Sequence, residues 1–152
     1  MGSRKRAYVK KPFESLGQSW DTSANIYHSM QMCEAWKDLT AQQKVLYLAC
    51  KDQLYAERKK PIEEDPLSFT LNQHKWMREY GLYTSSNQKG FYRDMRALVA
   101  HGFIVCVFSG RFTREKSVFR FSSAWRRWGQ PGFTLEAGQP IGPGKSPATG
   151  EI

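Results

Sequence analysis

The stretch FTLNQHKWMREYGLYTSSNQKGFYRDMRALVAHGFIVCVFSGRFTREKSVFRFSSAWRRW, residues 69–128, decides the fold that this sequence predicts. A short strand at 67–71 leads into two helical patterns that a turn at 82–84 separates. The period then changes, because 103–108 is a run of strand formers and 117–122 alternates after a turn. The order is therefore strand, helix, turn, helix and β-hairpin.

Capping signals set the ends of the two helices. Asn72 is predicted to cap a helix over 73–80, because its short amide accepts from the first free backbone N–H groups. Ser85 and Gln88 have the spacing of a capping box and are predicted to open the second helix. That helix is expected to run to His101, after which a glycine closes it.

Helical signals also precede this stretch. Residues 34–38 predict a short helix, and Thr40 with Gln43 forms a capping box that opens a longer one. The longer helix is expected to end near Glu57, before Pro61. Together the elements predict an α+β fold, a winged helix-turn-helix of three to four helices with a C-terminal β-hairpin wing.

The predicted winged-helix domain spans 13–128 and has a different kind of sequence on each side. Residues 1–12 carry five cations and no acid, which predicts a basic flexible arm that either contacts DNA or only aids solubility. Residues 129–152 contain six glycines and four prolines without periodicity, which predicts a disordered tail.

The net charge of +9 makes an anionic partner plausible, with nucleic acid first and an acidic membrane surface second. No apolar run reaches the length of a spanning helix, and no signal peptide is recognisable, so a cytoplasmic protein without membrane insertion is expected. The three cysteines lack metal or disulfide spacing, and Cys50 and Cys106 are predicted to lie in the core.

The sequence offers no set of residues for catalysis. The three histidines lie on separate elements, the serines lack a nucleophile-elbow context, and no glycine-rich phosphate loop occurs. The sequence therefore predicts a protein that is not an enzyme and that needs no cofactor or metal.

The second helix of the helix-turn-helix carries a pattern suited to DNA recognition. Its inward apolar positions are Phe91, Met95 and Leu98, at i, i+4 and i+7. Its outward cations recur at the same spacing, at Lys89, Arg93 and Arg96. An apolar face fixed to the core with long donors outside is what a recognition helix requires, although a solvated amphipathic helix has the same pattern. The predicted DNA contacts here are Asn87, Gln88, Lys89, Tyr92, Arg93 and Arg96.

The hairpin and the preceding helix add further cations. Arg111, Arg114 and Lys116, with Arg120 nearby, form a nearly one-signed wing that is expected to contact phosphates. Phe112 is expected to fold back on its hairpin, with stacking on a base as the alternative. In the preceding helix, Lys75 is predicted to anchor the DNA backbone.

Four segments carry a resemblance to a known family. They are IYHSM at 26–30, EAWKDLT at 34–40, LYL at 46–48 and MRALVAHGFI at 95–104. In these segments the chain resembles the winged-helix proteins of bacterial plasmids, phages and integrative elements, and in particular the N-terminal DNA-binding domains of Gram-positive plasmid replication initiators. The resemblance covers about 26–128. It implies a double-stranded DNA binder, either a transcriptional regulator or an accessory replication or transfer protein of a mobile element.

Two other hypotheses remain open at this stage. The winged helix could instead be a protein-interaction module without direct DNA readout, with its charge serving solubility, and RNA is a further possible ligand. A homodimer is also possible, because Trp20, Ile26, Tyr27 and Trp36 would form either a dimer surface or part of the core. The core is the favoured interpretation for these four residues.

Overall fold

The computed structural model describes residues 9–110 and 116–141. The α-helices are α1 (His28–Gln31), α2 (Glu34–Asp38), α3 (Ala41–Ala56) and α4 (Gln88–Ala100). The strands are β1 (Ser68–Thr70), β2 (Ile104–Phe108) and β3 (Val118–Phe121). A π-helical turn (His74–Glu79) and a 3-10 turn (Ser85–Asn87) lie between β1 and α4, and a 3-10 turn (Ala124–Arg127) follows β3. The α+β class predicted from the sequence is confirmed.

Helix α3 begins at the predicted capping box. The Thr40 hydroxyl accepts from the Gln43 backbone N–H at 3.2 Å, and the Gln43 side chain accepts in return from the Thr40 N–H at 3.0 Å. The helix ends where predicted, with Glu57 as its C-cap. The Glu57 carboxylate also accepts from the backbone N–H of Thr70 at 3.0 Å, which joins the end of α3 to β1. The Thr70 hydroxyl donates to the same carboxylate at 2.6 Å, so local capping fixes the start of α3 and two bonds join its end to the sheet.

The three strands form one antiparallel sheet in the order β1-β3-β2. Phe119 in the central strand is opposite Phe69 in β1 and Cys106 in β2. These strands lie within the three segments that the sequence predicts as strands. The pairing shifts between Cys106 and Phe108, where β2 bulges. The sheet buries Phe69, Phe119 and Cys106 against the helices.

Aromatic side chains hold the helices and the sheet together. Trp36 of α2 and Tyr47 of α3 meet edge to face with ring centroids 5.5 Å apart, and Phe103 contacts both. Trp76 in the π-helical turn stacks on Phe91 of α4 with centroids 4.4 Å apart. Edge-to-face and stacked rings add to the apolar burial of each ring. Through these contacts the core buries one face of α4 and leaves the opposite face exposed to solvent.

Residues 129–141 differ from the disordered tail that the sequence predicts. The Gln139 N–H donates to the Cys106 carbonyl at 2.8 Å, and the Gln139 side-chain oxygen accepts from the Ser109 N–H at 2.7 Å. Ile141 is 7% exposed and belongs to the core. The prediction was wrong here because β2 is an edge strand with free backbone groups, which an aperiodic segment can satisfy. Residues 142–152, also predicted as tail, lie outside the described residues.

The N-terminal aromatic residues divide between core and surface. Trp36 is 8% exposed, and Ile26 is partly buried against the core, as the favoured interpretation predicts. Trp20 and Tyr27 are 72% and 74% exposed, so the core prediction was wrong for them. The segment that carries them does contact α3, since Lys51 donates to the Asn25 carbonyl, but these two side chains lie on its solvent-exposed side. Most of the predicted basic arm, residues 1–8, lies outside the described ranges.

Candidate nucleic-acid interface

The start of α4 is capped by Asn87 and not by Ser85 as predicted. Residues 85–87 form a 3-10 turn, and the Asn87 side-chain oxygen accepts from the Gly90 N–H at 3.2 Å. A Cβ at position 90 would lie 2.6 Å from that oxygen, so glycine allows the Asn87 side chain to fold over the helix start. Because the cap engages this oxygen, a bidentate contact of Asn87 with an adenine would compete with it.

The two faces of α4 are divided as the sequence predicts. The inward residues Phe91, Met95 and Leu98 are 2%, 0% and 0% exposed. The outward cations Lys89, Arg93 and Arg96 are all exposed, and we call these three residues the α4 ridge. Gln88 is exposed in the first turn of the same helix, and Tyr92 is half-buried beside the ridge. Six of the predicted contact residues are therefore brought together at α4 and its cap.

The two arginines of the α4 ridge have different partners. The Arg93 Nε lies 3.3 Å from a carboxylate oxygen of Asp94, although the Arg93 side chain is 72% exposed. The Arg96 Nη2 donates to the backbone carbonyl of Ile141 at 3.1 Å. Arg96 therefore donates to a neutral carbonyl, whereas Arg93 lies beside a carboxylate. Beside the ridge, burial raises the pKa of Tyr92, and the positive charge of Arg96 works against that rise.

The other cations that were predicted to contact DNA differ in whether an acidic side chain pairs with them. Lys75 bonds Glu79 at 3.0 Å, which reduces its capacity to anchor DNA as predicted. Lys116 is exposed at the start of the segment that leads into β3. Arg111 and Arg114, together with the tip residue Phe112, lie outside the described residues, and their predicted wing contacts remain predictions.

Arg120 was predicted to add a cation to the wing, but in the structure it pairs with two carboxylates. Its guanidinium bonds the carboxylates of Asp65 and Glu136 at 2.9 and 3.0 Å. The hydrogen bond to Asp65 raises the pKa of Arg120, which stays charged. Two acidic partners neutralise this cation, so it adds little to a phosphate-binding surface. The sequence did not indicate this, because Asp65 is 55 residues away along the chain.

Asp94 is a buried structural residue beneath the α4 ridge that the sequence-based reasoning missed. It is 1% exposed on α4 and accepts hydrogen bonds from the Gln43 side chain at 3.1 Å and from the Tyr83 hydroxyl at 2.6 Å. These bonds join α3, the segment before α4 and α4 itself. A signal for it exists, since position 94 follows Phe91 by three residues and so falls on the apolar face. An acid on that face needs partners inside the fold.

Within residues 9–110 and 116–141, no three His, Cys, Asp or Glu side chains are grouped so that they could hold a metal ion. Over the same residues, no helix is both long and apolar enough to cross a membrane. The chemistry that the α4 ridge offers is charge-assisted hydrogen bonding to anionic or carbonyl acceptors.

Comparisons with known proteins give no family for this chain. No protein-family model matches it, and no curated protein or solved structure does so either.

Buried tyrosines give the fold an expected pH dependence. Burial raises the pKa of Tyr47, and burial followed by the hydrogen bond to Asp94 raises that of Tyr83. The unfolded chain releases these protons near pH 10 while the native chain keeps them, so the free energy of unfolding should fall above pH 10. Each proton contributes about 1.4 kcal/mol per pH unit in that range. Urea unfolding at pH 8, 10 and 11 measures the fall. Tyr47→Phe should reduce the slope of the free energy of unfolding against pH. A urea midpoint of the unchanged chain that is the same at pH 11 as at pH 8 would contradict the prediction.

Proposed function

We propose that this protein binds double-stranded DNA as a winged helix-turn-helix, with α4 in the major groove. The observation that carries the proposal is the α4 ridge, three exposed cations at i, i+4 and i+7 on a helix whose opposite face is completely buried. A rigidly held helix can bring long donors to base edges and phosphates together without further ordering of its backbone. A net charge of +9 adds to the attraction for a polyanion.

The order of the elements supports the winged-helix assignment. β1 precedes the segment 72–87 and α4, and it pairs with β3 of the following hairpin, which closes the sheet beside the helices. In this proposal the hairpin loop between β2 and β3 is the wing, with Lys116 on its described side. The wing would contact the phosphate backbone while α4 reads the groove.

The residue types along α4 suit different groups of the DNA. Gln88 in the first turn suits adenine, and the guanidinium groups of Arg93 and Arg96 suit guanine or a pair of phosphate oxygens. Lys89 is a point charge suited to phosphate. The biological role that fits is a transcriptional regulator, or an accessory replication or transfer protein of a mobile element, as the sequence resemblance implies.

A salt titration tests the proposal. We expect the logarithm of the DNA association constant to fall with the logarithm of salt concentration at a slope of about −3 or steeper, since each neutralised phosphate contributes about −0.9. Filter binding of a mixed-sequence duplex between low and moderate salt measures the slope. A nearly flat line would exclude binding by cation–phosphate contacts.

A protein-interaction module is the second candidate function, because the N-terminal segment exposes apolar side chains. Phe13, Leu16 and Trp20 are 83%, 89% and 72% exposed. Apolar side chains grouped on one exposed segment are typical of a protein contact surface. The two functions separate when Arg93 and Arg96 are both replaced by alanine. Unchanged retention of this variant on duplex DNA would favour the protein-interaction module.

A further inference from the structure

The segment 136–141, which we call the strap, is held against the free edge of β2. The backbone N–H of Gln139 donates to the Cys106 carbonyl at 2.8 Å, and its side chain accepts from the Ser109 N–H. A Cβ at Gly138 would lie 2.9 Å from the Cys106 carbonyl oxygen and 2.8 Å from Val105 Cγ1. The absence of a side chain at 138 is thus a condition of this close approach.

Both ends of the strap are anchored. At the first end, Glu136 bonds Arg120 at 3.0 Å and accepts from the Ser122 hydroxyl at 2.9 Å. At the second end the Ile141 side chain is buried in the core, which fixes the position of its backbone carbonyl. Burying the apolar isoleucine side chain stabilises this position of the segment. The strap is therefore a defined part of the fold.

The strap ends on the α4 ridge. The Ile141 carbonyl accepts from the Arg96 Nη2 at 3.1 Å, between residues that are 45 positions apart in sequence. A carbonyl is a neutral acceptor, so this bond orients the guanidinium and leaves its charge intact. Arginine has five N–H donors in a planar fork, and the donors that the carbonyl does not engage can still bind a phosphate or a guanine.

We propose that the strap is a positioning element of the interface, acting through the Ile141 carbonyl on Arg96. This inference rests on the proposed function. A free arginine side chain loses considerable rotamer freedom when it binds, and a side chain that is already oriented loses less. The strap therefore raises the affinity of the α4 ridge for DNA without contributing a charge of its own.

A double-mutant cycle tests this inference in the full chain. Gly138→Ala pushes the strap from β2, Ile141→Ala loosens its end, and Thr134→Ala is an exposed control in the preceding segment. We expect each strap variant to weaken duplex binding about 3- to 10-fold, the range that ordering one long side chain implies, with no change for Thr134→Ala. The effect should vanish in an Arg96→Ala background and persist in full in a Lys89→Ala background.

Three outcomes would overturn the inference. Tighter DNA binding by the strap variants would mean that the strap shields the ridge. An equal loss in the Arg96→Ala background would mean a general effect on the fold, which thermal unfolding of each variant reports separately. Unchanged binding by both strap variants would remove any positioning role. If replacing all three ridge cations leaves DNA binding unchanged, the proposed function fails; if only the strap variants have no effect, this inference alone fails.

Discussion

Replacing Lys89, Arg93 and Arg96 together by alanine is expected to weaken duplex DNA binding by on the order of 100-fold at moderate salt, because three charge-assisted contacts are lost. The salt slope should also become shallower by about 3, one phosphate for each cation. The fold should persist, since these side chains are on the exposed face of α4 and its apolar face is untouched. Fluorescence anisotropy with a labelled duplex over a salt series measures both quantities.

The matched control removes the same charge elsewhere. Lys37 on α2 and the pair Arg58 and Lys59 beyond the end of α3 are also exposed, so their replacement by alanine lowers the net charge equally. This control should lose only a few-fold in affinity, through the weaker long-range attraction. Equal losses in the two triple variants would show that net charge and not the α4 ridge governs binding.

Asp94→Ala is expected to lower the free energy of unfolding by about 3 kcal/mol, because it leaves two buried donors without an acceptor. The donors are the Gln43 amide and the Tyr83 hydroxyl, at 3.1 and 2.6 Å from the carboxylate. The substitution also removes the bond from Gln43 that joins α4 to α3. DNA binding at temperatures below the unfolding transition should weaken less than in the ridge variant, since the cations remain.

Urea unfolding at neutral pH measures this second effect from the midpoint at a constant slope. Asp94→Asn keeps one oxygen and the shape of the side chain, so its loss should be smaller than that of Asp94→Ala. Glu64→Ala removes an exposed carboxylate and should change stability by no more than about 0.5 kcal/mol. If Asp94→Ala and Glu64→Ala have similar midpoints, the buried network does not stabilise the fold.

Much of the secondary structure could be predicted from local patterns. The helix at 34–38, the Thr40 capping box and the strands on both sides of the hairpin are found where the sequence indicates them. Capping and periodicity act within four residues, so a single sequence contains the information they need. The same reasoning correctly predicts the buried and exposed faces of α4.

Local patterns were less reliable where two solutions have similar energies. Ser85 and Asn87 are both good N-caps, and Gly90 decided between them because it leaves room for the Asn87 side chain. Asp94 was missed although its spacing from Phe91 places it on the apolar face of α4, because its partners cannot be recognised from local spacing. Those partners, Gln43 and Tyr83, lie on separate elements.

The sequence by itself determined α2, α3, most of α4, the strands, the spacing of the ridge cations and the excess of positive charge. Only the tertiary structure decided which cations stay available and how they are oriented. Arg120 is neutralised by Asp65, and Arg96 is oriented by the carbonyl of Ile141. These partners are 55 and 45 residues away from the arginines along the chain. The physical reason is that ion pairs and edge-strand contacts form between surfaces that meet only after the core has packed.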